Sequence, residues 1–298
     1  MKSIKVTSKI NGGALVVPIA KKDGRAICEI DFPMIDTKAI NAALVKIGAT
    51  AAVDEVLKFP ISENLLVVAT GLGEQLKSYP LENLRRAAGS AARSLVGEKS
   101  ATFVFPTKSE SELAAVAEGA ALGSYVFLDF RGSTKNETKP ALEEVVLYSK
   151  EAAKIDLKSL LKRVEVLAKY TYLIRDLINT PPSHLTPAVF ANEMVKLAKT
   201  LKLKYEVLDE KALKTKGYGG ITAVGQGSVN PPRLLRISYT PTKAKKHFAL
   251  VGKGITFDTG GLALKPASGM EAMKADMSGA AAVIATVLAA AELKLPIA

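Results

Sequence analysis

Two lysines and two aspartates lie close together near the end of this 298-residue chain. Lys253, Asp258, Lys265 and Asp276 fall within 24 residues, interleaved with glycines at positions 254, 260, 261 and 269. Charged side chains on a glycine-rich loop are poor material for a hydrophobic core. They suit a site that holds a divalent cation and stabilises an oxyanion. The spacing therefore predicts a functional loop.

The residue types of this loop indicate metal chemistry. Carboxylate oxygens bind Mg²⁺, Mn²⁺ and Zn²⁺, and a neutral amine nitrogen shifts the preference toward Mn²⁺, Zn²⁺ or Co²⁺. A lysine that binds a metal must lose its proton, and a nearby dication favours that loss. A second lysine that keeps its proton can stabilise an oxyanion. The combination predicts metal-assisted hydrolysis.

Simpler interpretations of the same residues stay open at this point. Asp258 could serve a turn through Asp-Thr-Gly-Gly, and Asp276 could cap the following helix. A turn and a cap do not require two lysines as well, so the four residues together favour a site. The Asp-Thr-Gly of aspartic proteases needs a second carboxylate that shares a proton, whereas these lysines would keep Asp258 ionised.

Other familiar sites are not supported by the sequence. The chain has only two histidines, His184 and His247, too few for a histidine-based zinc site. The Gly-x-x-x-x-Gly-Lys-Ser/Thr pattern of a phosphate-binding loop is missing from Val251-Gly-Lys-Gly. The glycines from Ala223 to Ser228 lack an acidic partner at dinucleotide-binding spacing.

The first half of the chain predicts an α/β domain. Apolar runs that are typical of buried strands alternate with runs that have helical spacing, which favours a largely parallel sheet. The predicted strands are Ala14 to Ile19, Leu65 to Thr70, Thr102 to Pro106 and Val145 to Tyr148. The predicted helices are Ile40 to Ile47, Leu81 to Leu95 and Glu110 to Leu122.

The second half predicts a connecting helix and the start of a second α/β domain. The helix covers Ile155 to Ile178 and stops at a Pro-Pro pair, and Thr186-Pro187 begins the next helix. We place the junction near residue 150, with domains at 1–149 and 150–298. Further predicted elements are Lys204 to Leu208, Arg233 to Tyr239 and His247 to Val251 as strands, and Glu210 to Lys216 and Ala280 to Leu293 as helices.

The cysteine count and the apolar runs of the sequence indicate the cellular compartment. A single cysteine, Cys28, excludes an internal disulfide and fits a reducing environment. We find no convincing export signal, and the longest apolar run, Ala280 to Ala291, has 12 residues and is too short to span a bilayer. The sequence predicts a cytoplasmic protein with no membrane partner.

The net charge of +12 invites a nucleic-acid interpretation. Residues 151–298 carry most of it, with 22 Lys and Arg against 12 Asp and Glu. The lysines there are scattered and have few aromatic neighbours, so solvated surface is the favoured explanation and nucleic-acid binding is disfavoured.

The motifs around the loop resemble the leucyl aminopeptidase family, the cytosolic M17 metallopeptidases. The resemblance rests on Val251-Gly-Lys-Gly-Ile-Thr-Phe-Asp-Thr-Gly-Gly, Leu264-Lys-Pro and Met273-Lys-Ala-Asp-Met-Ser-Gly-Ala-Ala, with support from Arg175-Asp-Leu-Ile-Asn-Thr-Pro-Pro and Pro231-Pro-Arg upstream. It implies a macro-domain-like N-terminal α/β unit, a connecting helix and the first part of an α/β metallopeptidase domain.

The resemblance also implies roles for single residues. Lys253, Asp258 and Asp276 correspond to metal ligands, with Asp258 bridging two divalent ions, Mn²⁺ or Zn²⁺. Lys265 corresponds to the catalytic lysine that polarises the scissile carbonyl, and Met273 to a residue that lines the substrate pocket. The implied reaction releases N-terminal leucine and other apolar residues from peptides.

One departure from the family pattern bears on these expectations. The family's second motif, Asn-Thr-Asp-Ala-Glu-Gly-Arg, supplies further metal ligands and an arginine that helps to hold bicarbonate or carbonate, and residues 1–298 do not contain it. We therefore expect residues 1–298 alone to bind metal weakly and to hydrolyse nothing measurable. Homohexamers are expected for complete family members, and the alternative is a non-catalytic scaffold that assembles with such subunits or binds nucleic acid.

Overall fold

The computed structural model describes residues 1–8, 13–28, 30 and 35–298. They form two compact units, Met1–Ala168 and Lys169–Ala298. The domain junction near residue 150 stays a prediction, and the long helix that follows it contributes residues to both units.

The first unit is an α/β domain. In the described residues its elements are β1 (Ser3–Thr7), β2 (Gly13–Lys22), β3 (Arg25–Ile27), α1 (Thr37–Lys46), β4 (Val56–Ser62), β5 (Leu65–Glu74), α2 (Leu81–Ser94), β6 (Ser100–Val104), α3 (Glu110–Gly123), a 3-10 helix (Gly132–Glu137), β7 (Glu144–Tyr148), a second 3-10 helix (Ala152–Lys154) and the start of α4 (Leu157–Asn179).

The predicted parallel sheet is confirmed. The described strands run in the order β1-β7-β6-β2-β5-β4, and β3 pairs with β2. All neighbouring pairs along that order are parallel except β4 with β5, and β3 is also antiparallel to its partner. Alternate residues of β2 enter two different cores because Val16 packs with α2 and α3, whereas Leu15 and Val17 pack with α1. Helices therefore cover both faces of the sheet.

An ion pair links β1 to β7 across the sheet and gives an acid-sensitive contribution to stability. Lys5 Nζ lies 2.6 Å from Glu144 Oε2, and Ser3 donates a hydrogen bond to the same oxygen. The hydrogen bond from Lys5 lowers the pKa of Glu144 below its ordinary value. Its stabilising effect is therefore present above the unfolded-state pKa and is lost as the pH falls through the lowered, folded-state pKa.

We expect Glu144→Gln to lower the free energy of unfolding by about 0.2–1 kcal/mol at pH 7, and by almost nothing once Glu144 is protonated in the wild type. Urea unfolding of both proteins between pH 7 and pH 3 measures this difference. Glu63→Gln, in the exposed turn between β4 and β5, is the control and should show no such trend. A Glu144→Gln deficit that stays constant down to pH 3 would contradict the assignment.

The second unit holds the remaining elements. After the end of α4 the described residues form α5 (Pro187–Thr200), β8 (Lys204–Leu208), α6 (Glu210–Thr215), α7 (Gly219–Gly225), β9 (Leu234–Ser238), α8 (Ala267–Met270), a 3-10 helix (Glu271–Ala275) and α9 (Ser278–Glu292). The N-terminus of α5 is as predicted, with Thr186 as the cap and Pro187 in the first turn. The core joins the end of α4 to α5 and α9 through Leu177, Phe190, Met194 and Met277.

One prediction for this unit is wrong. Residues His247 to Val251 form no strand. In the described residues β8 and β9 pair only with each other, and no ladder is available beside 247–251. Instead, Phe248 N donates to Ala298 O and Ala298 N donates to Lys246 O, at 2.7 and 2.9 Å.

One helical stretch of the described residues, 267–292, is long and apolar enough by composition to cross a membrane. It is not one α-helix, because the 3-10 helix Glu271–Ala275 interrupts it. The uninterrupted part, α9, has 15 residues and spans about 22 Å, against about 30 Å of bilayer hydrocarbon. Met277 and Ala281 also pack in the core of the second unit.

Candidate metal and catalytic site

The structure pairs the four charged residues of the predicted loop. Lys253 Nζ lies 2.8 Å from Asp276 Oδ1, and Lys265 Nζ lies 2.7 Å from Asp258 Oδ2. The negative charge of Asp258 also acts on Lys253, so the two pairs form one electrostatic cluster. The sequence predicted the cluster, and the structure adds which lysine meets which carboxylate.

Asp258 belongs to a tight turn as well as to the charged cluster. Its Oδ1 accepts a hydrogen bond of 2.8 Å from Gly260 N. Gly260 and Gly261 have φ angles of +91° and +74°, which favour glycine. The turn returns Lys265 to Asp258, with Lys265 N donating to Thr259 O at 2.9 Å. The simpler interpretation of Asp258 as a turn residue thus holds for one oxygen, while the other oxygen meets Lys265.

Asp276 does not act as the side-chain cap of α9. The cap position is Met277, and no side chain caps the helix there. Asp276 precedes the helix by two residues, where the positive end of the helix dipole stabilises a carboxylate. Its side chain is 16% exposed, and its Oδ2 is buried without a hydrogen-bond partner in the part of the chain that the structure describes.

Close backbone contact holds Lys253 beside the start of α9. A Cβ on Gly252 would lie 2.4 Å from Gly279 O and 2.7 Å from Ala280 Cα. Because Gly252 and Gly279 lack side chains, the two segments approach closely, and Ala280 N donates to Lys253 O at 2.7 Å. This contact brings the Lys253 side chain to Asp276. Sequence analysis missed the positioning role of both glycines, although each flanks a charged or polar residue of the motifs.

The pairing sets the protonation of the cluster. The hydrogen bond to Asp276 raises the pKa of the Lys253 amine, and the attraction of both aspartates adds to that effect. The hydrogen bond from Lys265, helped by Gly260 N–H, lowers the pKa of Asp258. Asp258 is therefore held in its charged form, and a metal at Lys253 must compete with a proton.

The side chains of the cluster supply some of the ligands that a divalent cation needs. Two carboxylates and an amine lie in one cluster, and Asp276 Oδ2 offers a buried, unpartnered oxygen. Within the described residues, no group of three or more His, Cys, Asp or Glu side chains is placed to hold a metal. Any ligand set built from these residues thus depends on Lys253.

Met273 lies three residues before Asp276. It sits half-buried in the 3-10 helix Glu271–Ala275, and its carbonyl oxygen accepts a hydrogen bond of 3.1 Å from Asp276 N. Its predicted role in lining a substrate pocket stays a prediction. Apolar side chains are nevertheless exposed around the loop, since Val251, Leu262 and Leu264 all project into solvent.

The fold and the loop define a two-unit α/β protein whose second unit carries paired aspartates and lysines. Residues 172–298 match the catalytic domain of the cytosol aminopeptidase family, and residues 29–134 match the N-terminal domain of the same family. The chain belongs to the cytosol aminopeptidase family. The resemblance to M17 peptidases is thereby confirmed.

Relatives from two bacteria show the extent of the similarity. A "Probable cytosol aminopeptidase" of Leifsonia xyli subsp. xyli is 43% identical over 259 residues, which cover 87% of this chain and 51% of the relative. A protein of the same name from Streptomyces griseus is 43% identical over 309 residues, which cover 97% of this chain and 60% of the relative. The chain thus spans between half and two thirds of the length of these relatives.

A solved structure agrees with this assignment. The bottromycin maturation enzyme BotP in complex with Mn superposes with a TM-score of 0.75 at 32% sequence identity. The superposition covers 95% of this chain and 57% of that one. The similarity therefore extends over both units and again ends within the longer protein.

Proposed function

We propose that this protein is a metal-dependent aminopeptidase that releases N-terminal leucine and other apolar residues from peptides in the cytoplasm. The observation that carries the proposal is the cluster of two aspartate–lysine pairs, in which Asp276 retains a buried oxygen without a described partner. Membership of the cytosol aminopeptidase family supports it, as do relatives that carry that name. Peptide substrates and a homohexamer remain part of the proposal.

Lys253, Asp258 and Asp276 would hold divalent ions. The similar BotP structure is a complex with Mn, which supports Mn²⁺, and Zn²⁺ is the other candidate. When bound, these ions would supply Lewis-acid polarisation of the peptide carbonyl and activation of water. Asp258 stays ionised because Lys265 and Gly260 N–H both stabilise its charge. Lys253 would release its proton as metal binds, which makes metal affinity rise with pH.

Lys265 is proposed as the catalytic residue. In the structure its ammonium lies against Asp258, and its side chain is about one third exposed, so it is within reach of both the cluster and solvent. A charged lysine in that place would orient the scissile carbonyl and stabilise the negative charge that develops on its oxygen. Exposed Leu262 and Leu264 near it in the chain support an apolar preference, together with the predicted role of Met273.

A chimera tests the proposal with this chain's own residues. The chain would replace the aligned part of the Streptomyces griseus relative, and the rest of that relative would complete the protein. We expect Mn²⁺-dependent release of p-nitroaniline from Leu-p-nitroanilide. Lys265→Ala should lower kcat by at least about a hundredfold because it removes a charge from the transition state. Asp276→Asn should raise the Mn²⁺ concentration needed for half-maximal activity.

Glu271→Gln is the matched control, because Glu271 is exposed on the same short helix as Met273 and holds none of the proposed roles. It should leave both parameters within about twofold of the unmutated chimera. A folded chimera without metal-dependent release would contradict the proposed function. Full activity in Lys265→Ala would contradict the assignment of that residue while leaving the reaction class intact.

A further inference from the structure

A cavity of about 490 Å³ lies in the first unit, and none of its lining residues belongs to the charged loop. Its wall is formed by Ile19, Ala20 and Leu72 from the ends of β2 and β5, by Tyr79 before α2 and by Pro106 after β6. The volume falls within the range of about 300–1,000 Å³ that small-molecule sites occupy. Size and place therefore make it a candidate ligand site.

The cavity lies at a topological switch point of the sheet. β2, β5 and β6 are parallel, so their carboxyl ends meet at one edge, where the cavity is found. β2 lies between β5 and β6. From β2 the chain forms β3, which pairs with the end of β2, and then passes through α1 and β4 to β5 on one side. From β6 it proceeds through α3 to β7 on the other side. Open α/β sheets bind ligands in the crevice that such a divergence leaves.

The lining indicates what kind of ligand would fit. Most of the wall is apolar, and the charged side chains on it are Lys77, Lys108 and Glu112. Glu112 is already used by the capping box of α3, since its Oε2 accepts from Lys108 N and Ser109 N at 2.6 and 3.1 Å. The two lysines are exposed and leave the rim with a net positive charge. An apolar pocket with a cationic rim selects an anion with an apolar body.

One more polar group lies next to this lining. Thr107, between Pro106 and Lys108, has a buried hydroxyl oxygen with no hydrogen-bond partner in the described part of the chain. Unpartnered buried hydroxyls are uncommon in folded proteins and call for an explanation such as a ligand or a water molecule. Thr107 does not line the cavity, so this hydroxyl carries no part of the proposed site.

We propose that this cavity is a second ligand site, which binds a small organic anion whose apolar or aromatic body fills the cavity and whose phosphate or carboxylate meets Lys77 and Lys108. The proposal concerns the first unit alone and does not depend on the aminopeptidase function. Two sources share this chemistry, namely phosphate monoesters such as nucleotides and apolar carboxylic acids. The experiment separates them.

The test titrates the full chain with adenosine monophosphate and adenosine, and with indole-3-propionate and indole-3-propanol. We expect at least one anion to bind at least about fivefold more tightly than its neutral analogue. Methyl NMR should show ligand-induced shifts at Ile19 and Ile27, which line the cavity, and none at Ile178 and Ile284 in the second unit. The anion that binds identifies the phosphate or the carboxylate class.

Lys77→Ala combined with Lys108→Ala should weaken anion binding by about tenfold and leave the neutral analogue unchanged. The backbone N–H of Lys108 that serves the capping box remains in this variant. Lys38→Ala combined with Lys46→Ala removes two exposed lysines of the same unit, on α1, and is the matched control. Equal binding of anions and neutral analogues, no binding at millimolar concentration, or an unaffected double variant would each overturn the proposal.

Discussion

Replacing Gly252 by alanine is expected to separate Lys253 from Asp276 and to weaken Mn²⁺ binding by at least about tenfold. The new Cβ would lie 2.4 and 2.6 Å from the carbonyl oxygen and carbon of Gly279, and 2.7 Å from Ala280 Cα. These three atoms belong to the backbone, so no change of side-chain rotamer can make room. The segment at 252–254 must therefore move away from the first turn of α9.

That movement would disrupt the contacts that place the lysine. The hydrogen bond from Ala280 N to Lys253 O, now 2.7 Å long, would lengthen or break. The 2.8 Å contact of the Lys253 amine with Asp276 depends on the same approach. Overpacking of this kind costs about 1–3 kcal/mol, so we also expect a lower free energy of unfolding.

Isothermal titration of the chimera with Mn²⁺ measures the change in affinity, and urea unfolding of the chain measures the change in stability. Gly269→Ala is the matched control, because Gly269 lies in the same region, has open space around its Cα and does not require a positive φ. If Gly252→Ala binds Mn²⁺ and unfolds as Gly269→Ala does, the close backbone contact does not position the site.

The architecture of the first unit could be predicted because its central strands are buried on both faces. Such strands are continuous apolar runs, and β2 and β5 lie where Ala14 to Ile19 and Leu65 to Thr70 predicted them. The edge strands β1 and β4 were not predicted. β1 alternates apolar with polar residues over only five positions, and β4 contains Pro60, which is tolerated only at an edge.

The strand expected at His247 to Val251 shows the limit of this method. Its apolar residues resemble those of the buried strands, but a strand also needs a neighbour that completes its hydrogen bonds. In the described structure Phe248 N donates to Ala298 O, and this contact does not continue along the segment as a ladder. The local sequence indicates that a segment could form a strand. It does not indicate whether a neighbouring strand is present to complete its backbone hydrogen bonds.

The charged residues of the site could be identified from their types, but their pairing could not. Which lysine meets which aspartate depends on the turn at Gly260 and Gly261 and on the close contact of Gly252 with Gly279. Gly260 and Gly261 adopt positive φ angles, whereas Gly252 and Gly279 permit close backbone contact. Glycine therefore serves two different purposes in this site. The sequence shows the glycines without showing which purpose each one serves.

Replacing Gly119 by alanine is expected to destabilise the first unit by about 3 kcal/mol, although alanine is the better helix former. A Cβ at Gly119, in α3, would lie 2.0 Å from Arg85 O and 2.9 Å from Arg85 Cα, in α2. The same crossing brings Gly123 of α3 against Gly89 of α2, where a Cβ would lie 2.2 Å from the carbonyl oxygen. The two helices thus meet backbone to backbone.

Alanine at this crossing must push α2 and α3 apart. Both helices bury most of their alanine and leucine side chains in the core that covers the sheet, so the separation opens gaps along the whole interface. It would also strain the hydrogen bonds that Arg85 donates to Glu118, at 2.9 and 3.1 Å. The gain in helix propensity, about 1 kcal/mol for glycine to alanine, is smaller than this loss.

Urea unfolding followed by circular dichroism measures the change in the free energy of unfolding. Gly220→Ala provides the matched control, because Gly220 also lies in a helix, α7, but a Cβ at that position would have no atom within 4 Å. That control should be neutral or slightly stabilising, since it reduces only the freedom of the unfolded chain. A Gly119→Ala protein within about 0.5 kcal/mol of the wild type would show that the helices are not held at backbone contact, since a sterically blocked site cannot be neutral.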